Sequence, residues 1–85
     1  MKKIKFKNLK KGDVFLQSDE IFEFEGFTDG GPGFYGIVVA TAMMLKSLDN
    51  ERKDIKYHSI WLGKDFGDIV ELIDKESVNL ILLGT

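Results

Sequence analysis

Residues Ile21 to Phe27 read I-F-E-F-E-G-F, an alternation of apolar and acidic side chains. Successive side chains of a strand point to opposite faces. Ile21, Glu23 and Glu25 therefore fall on one side, and Phe22, Phe24 and Gly26 on the other. A helix would scatter them: at 3.6 residues per turn, Phe22 and Phe24 would lie about 200° apart. The pattern predicts a strand with one oily and one wet side, as in antiparallel sheets. A second alternation, K-I-K-F-K at Lys3 to Lys7, predicts a short strand with Lys3, Lys5 and Lys7 on one face and Ile4 and Phe6 on the other.

The rest of the chain supplies partners for these strands. L-K-K-G-D reads as a turn around Gly12 and Asp13, Val14 to Leu16 as a short strand, and Q-S-D-E as a polar turn. Phe34 to Val39 is aromatic and β-branched, which favours a strand. Ala40 to Lys53 holds many good helix formers, so a short helix over 40–50 is the alternative to a strand there. The preferred reading is a hairpin. Its first strand carries Ile37, Val39, Thr41, Met43 and Leu45 on one face and Val38, Ala40, Ala42 and Met44 on the other, S-L-D-N-E-R-K-D is the turn, and Ile55 to Leu62 is the partner. G-K-D-F-G reads as a loop, Asp68 to Ile73 as a strand, and N-L-I-L-L at 79–83 as the last strand. Five to seven short antiparallel strands with frequent turn signals predict a mainly β fold, a small barrel or sandwich rather than βαβ units.

At 85 residues the chain is expected to form a single domain over 1–85. Without cysteine it has neither a disulfide nor a thiolate metal site, so seven Phe and an apolar content of 44% must build the core unaided. The densest apolar run, Ile37 to Leu45, is far short of the roughly 20 residues of a bilayer helix. The basic start M-K-K-I-K-F-K has no apolar run of the signal-peptide kind. A cytoplasmic protein with no membrane partner is expected.

The segment G-P-G-F-Y-G, Gly31 to Gly36, fits the dinucleotide-binding pattern G-x-G-x-x-G. That turn needs a doubly buried strand before it and a helix N-terminus after it. Here Glu23 and Glu25 interrupt the strand, and Ile37-Val38-Val39 is a poor first helical turn. The segment is therefore read as a hairpin loop whose glycines supply positive φ. No cofactor is expected.

Charge is distributed unevenly. Six of the twelve basic residues lie in the first eleven positions, and the remainder holds six basic against fourteen acidic residues, a net of −8. Lys3, Lys5 and Lys7 on one strand face would be spaced about 7 Å apart, close to the phosphate spacing of a nucleic-acid strand. A charged edge strand that blocks aggregation explains them as well. Arg52 is the only arginine, so any nucleic-acid contact would go to the backbone. The acids Asp19, Glu20, Glu23, Glu25 and Asp29 line one hairpin arm, as a solvated face or a surface for a basic partner. His58 is the sole histidine and reads as an ordinary strand residue. Phe34, Tyr35, Tyr57 and Trp61 are the candidate binding aromatics; the two tyrosines and Trp61 also carry polar handles. No catalytic or metal-ligating set stands out.

F-K-N-L-K-K-G-D-V-F-L followed by I-F-E-F-E-G-F resembles the opening of small SH3-like β-barrels, common among bacterial and bacteriophage proteins. The resemblance spans roughly Lys7 to Ile73 and implies a five-strand barrel and a binding role. The expected function is a non-enzymatic protein-interaction module, an accessory or inhibitory factor. The alternative is a nucleic-acid-binding barrel that uses the N-terminal lysines. The tail from Ser77 is expected to pair as an edge strand with Lys3 to Lys7, or with a second copy in a homodimer.

Overall fold

The computed structural model describes residues 2–33, 35–48 and 58–83. Among these residues, six strands and one helix follow in order: β1 (Lys2–Lys5), β2 (Val14–Gln17), β3 (Glu20–Asp29), β4 (Val38–Ser47), β5 (His58–Trp61), β6 (Ile69–Ile73) and α1 (Lys75–Leu83). Single 3-10 turns occupy Phe6–Asn8 and Gly63–Asp65. All strands join one antiparallel sheet in the order β1-β6-β2-β3-β4-β5. The mainly β expectation holds, with six strands. The sheet is not closed into a barrel: β1 pairs with β6 and β5 with β4, and these two strands form its edges.

The sheet nevertheless curls strongly. In a flat sheet β5 and β2 would lie about 14 Å apart, three strand spacings. Yet the Trp61 indole N–H on β5 donates to Gln17 Oε1 on β2 at 2.8 Å, and its ring lies 5.8 Å from that of Phe15. The concave side encloses the core, formed by Phe6, Leu9, Phe15, Phe22, Phe24, Ala40, Ala42, Met44, Trp61 and Val70. Phe6 is central and fully buried, with rings of Phe15, Phe24, Trp61 and Phe66 within 6.0 Å of its own. Ala40 and Ala42 keep the middle of β4 thin and leave that volume to the rings. Ile21, Val39 and Ile73 are also buried but lie outside this cluster, so the opposite face is not uniformly wet.

Three expectations need correction. The alternation at Lys3 to Lys7 ends as a strand at Lys5. Phe6 turns inward, and the Phe6 and Lys7 amides donate to the carbonyls of Asp68 and Phe66 at 2.8 and 2.9 Å. The alternative helix over 40–50 is absent from residues 40–47, which belong to β4 because Ala40, Ala42 and Met44 fill the core at strand spacing. The supposed last strand, 79–83, lies in α1. Asp74 precedes that helix, its carbonyl accepting from the Ser77 and Val78 amides, with Glu76 in the first turn. The place beside β1 is taken by β6 instead. The proposed turn after Ser47 and the start of the Ile55 strand fall largely outside the described residues. Among the described residues no helix is long and apolar enough to cross a membrane.

Candidate functional site

The β3–β4 hairpin projects one end past the rest of the sheet. Its ladder runs to Asp29↔Val38, whereas the β4–β5 ladder stops at Ala40↔Trp61. The loop is closed by the Gly30 amide donating to the Ile37 carbonyl at 2.9 Å, and the Gly31 amide donates to Asp29 Oδ1 at 3.0 Å. Gly31, Gly33 and Gly36 all take positive φ, +71°, +84° and +78°. These are conformations that a side chain disfavours. The glycine fingerprint is thus the bend of a hairpin, and Val38 opens a strand rather than a helix.

Large apolar side chains are exposed together at this end. Phe27 is 41% exposed, Tyr35 76%, Ile37 47% and Val38 56%. Phe27 and Val38 share the concave side, because their partners Ala40 and Asp29 lie directly opposite in one ladder. The patch is anchored to the core: the Phe27 ring lies 5.2 Å from Phe24 and 5.1 Å from Phe66, both near edge-to-face. Asp29 sits on the same side, while Glu25, displaced by a register shift between Phe24 and Gly26, faces the other way. There Glu25 Oε1 lies 3.0 Å from His58 Nδ1 on β5, across β4.

The other candidates fall elsewhere. Lys3 and Lys5 are exposed on one face of β1, opposite Glu71 and Ile69 of β6. Lys7 lies in the 3-10 turn and is out of line with them. Between β1 and the β2–β3 turn lies an open groove of about 470 Å³, whose lining includes Lys3, Leu16, Asp19, Ile69 and Glu71. Trp61 is only 8% exposed and serves the core rather than offering a ring to a partner. It therefore does not join Tyr35 on the surface. Phe34 and Tyr57 lie outside the described residues. No group of three or more His, Asp or Glu side chains is placed to hold a metal among the described residues.

Phe27, Ile37 and Val38 were not singled out from the sequence. Their signal is present, however. Phe27 on one arm and Ile37-Val38 on the other lie close to a glycine-rich turn, where a strand pair ends and neighbouring strands need not cover it. Comparisons with protein-family models, curated proteins and solved structures find no match.

Proposed function

We propose that this protein is a small non-enzymatic binding module that docks a protein partner through the free end of its β3–β4 hairpin. One observation carries this reading: Phe27 and Val38 are exposed on the concave side of the hairpin end, Phe27 is anchored to the core, and Tyr35 and Ile37 are exposed in the adjoining loop. Exposed apolar side chains scattered singly need no explanation, but a group of them on one projection marks an interaction surface. Tyr35 suits an anchor, with a broad ring and a hydroxyl that can keep a hydrogen bond. The curled five-strand unit from β2 to β6 also supports the SH3-like resemblance, with β1 added at its edge. An accessory or inhibitory role fits such a module.

The nucleic-acid alternative has less support. Only Lys3 and Lys5 align, and Glu71 stands directly opposite Lys3.

The test is affinity capture from a cell extract with the intact chain and with two variants. Tyr35→Ser combined with Val38→Thr is expected to lose a partner that the parent retains, with an unchanged circular-dichroism spectrum. Lys3→Gln combined with Lys5→Gln is expected to retain it. A partner lost only in the lysine variant, or one released by nuclease, would overturn the reading.

A further inference from the structure

We infer that the hairpin end takes its protein partner as an added β-strand, an extended segment that pairs with the free edge of β3 at Phe27 and Asp29. This inference rests on the docking reading above and adds how the partner is held. Hydrogen-bonded and non-hydrogen-bonded pairs alternate along an antiparallel ladder. The Gly30 amide donates to the Ile37 carbonyl at 2.9 Å, so Gly30, and Thr28 two residues earlier, turn their backbone groups toward β4. Phe27 and Asp29 turn theirs the other way. On that side β2 pairs only as far as Val14↔Glu23, and the last contacts join Phe24 to Gly12 and Asp13. Phe24 thus faces β2, and the register shift after it brings Phe27 and Asp29, rather than Gly26 and Thr28, to the same edge. Among the described residues no backbone group of another element bonds to Phe27 or Asp29 there.

Each of the two residues offers one N–H and one C=O, the two sets about 7 Å apart along the strand. Gly26 to Asp29 contains neither lysine nor proline, residues with which natural edge strands refuse an added strand, whereas Lys2, Lys3 and Lys5 line the edge strand β1. Asp29 does carry a charge, but its Oδ1 is engaged by the Gly31 amide at 3.0 Å. Side chains directly opposite across a ladder share a face. A partner residue opposite Phe27 therefore lies against its exposed ring on the concave side, which calls for an apolar side chain at that position and a segment whose alternate residues face away. A second copy fits less well. In twofold pairing about Thr28, Phe27 of each copy would stand opposite Asp29 of the other, a ring against a carboxylate in both places. The other edge of the projection, on β4, offers only Val38 beyond the β4–β5 ladder.

A displayed library of random peptides of about ten residues, panned on the full chain, tests this. The enriched peptides are expected to carry apolar residues at alternate positions. Titrated into the isotope-labelled full chain, they should shift the amides of Phe27 to Asp29 in NMR spectra. They should also give a nuclear Overhauser contact between peptide backbone protons and Thr28 Hα, which faces the added strand. N-methylation of every second peptide residue should abolish binding in one phase and spare it in the other, because alternate amides face away. In the chain, Asp29→Pro should weaken binding about tenfold more than Asp29→Ala, since both lose the carboxylate and only proline loses the edge N–H. Peptides that bind the hairpin end as helices, or equally in both methylation phases, would overturn the strand-addition inference and leave the docking reading standing. Equal losses in the two Asp29 variants would do the same. Concentration-dependent shifts of these amides in the chain alone would assign the edge to a second copy and overturn it too. If no peptide reaches the hairpin amides, strand addition falls, and the docking reading is decided by the capture experiment above.

Discussion

Gln17 ends β2 and accepts the indole proton of Trp61, the only tryptophan, at 2.8 Å. This bond spans three strand positions and holds β5 against the concave core. Tryptophan is donor-only, so a ring this deeply placed needs an acceptor. Gln17→Ala leaves the N–H without one and is expected to cost about 1 kcal/mol, the lower part of the range for a lost buried partner because the pair is only part-buried. Gln17→Glu keeps an acceptor and should cost less. Urea unfolding monitored by tryptophan fluorescence measures both; an unchanged midpoint for Gln17→Ala would show that water replaces the amide. The adjacent rings respond on a different scale. Phe6 is fully buried among four aromatic neighbours, so its truncation removes far more than one hydrogen bond.

The strands bring these residues together through turns, and the tightest turn joins β2 to β3. Gln17 pairs with Glu20, leaving Ser18 and Asp19 as a two-residue loop, both with positive φ, 51° and 62°. That is the mark of a type I′ turn, which favours Asn-Gly. A left-handed conformation costs an ordinary residue about 1–2 kcal/mol, less for Asp. Ser18→Asn with Asp19→Gly is therefore expected to stabilise the protein by about 1 kcal/mol, seen as a higher urea midpoint with an unchanged slope. The Leu48 amide would still find the residue-19 carbonyl, because that contact is backbone only. The sequence showed this turn as Q-S-D-E, and it showed β2, β3, β4 and β6 through alternation and β-branching. It was misread where the local pattern was short. N-L-I-L-L suits a strand or a helix, and the deciding signal, Asp74 with Glu76 ahead of it, lies outside the run. Phe6 broke the basic alternation because a core position outweighs strand continuity. The docking end was legible only in part: Tyr35 was visible as an aromatic beside glycines, whereas the exposure of Phe27 and Val38 depends on β5 stopping at Trp61, a fact of pairing that no local window contains.

At the scale of the whole molecule, the notable fact is that distant parts of the chain share one core. Phe6 follows β1, Phe15 belongs to β2, Phe22 and Phe24 to β3, Met44 to β4, Trp61 to β5 and Val70 to β6, and all lie in a single buried cluster. No strand can leave without opening that cluster to water. Partial unfolding would therefore expose nearly as much apolar surface as complete unfolding, while recovering only part of the chain entropy. The chain has no disulfide to hold a fragment together, since it has no cysteine. Unfolding is thus expected to be two-state. A cooperatively folded chain of 85 residues should show an unfolding enthalpy of about 60 kcal/mol near its midpoint. Scanning calorimetry should return equal calorimetric and van't Hoff enthalpies. The Trp61 fluorescence transition should coincide with loss of the far-ultraviolet β signal. An early fluorescence transition would mean that β5 detaches first, and that the edge strand is held by its ladder to β4 rather than by the indole. The same experiment on Gln17→Ala separates these cases, because a shared core shifts both signals together, whereas an independent edge shifts fluorescence alone.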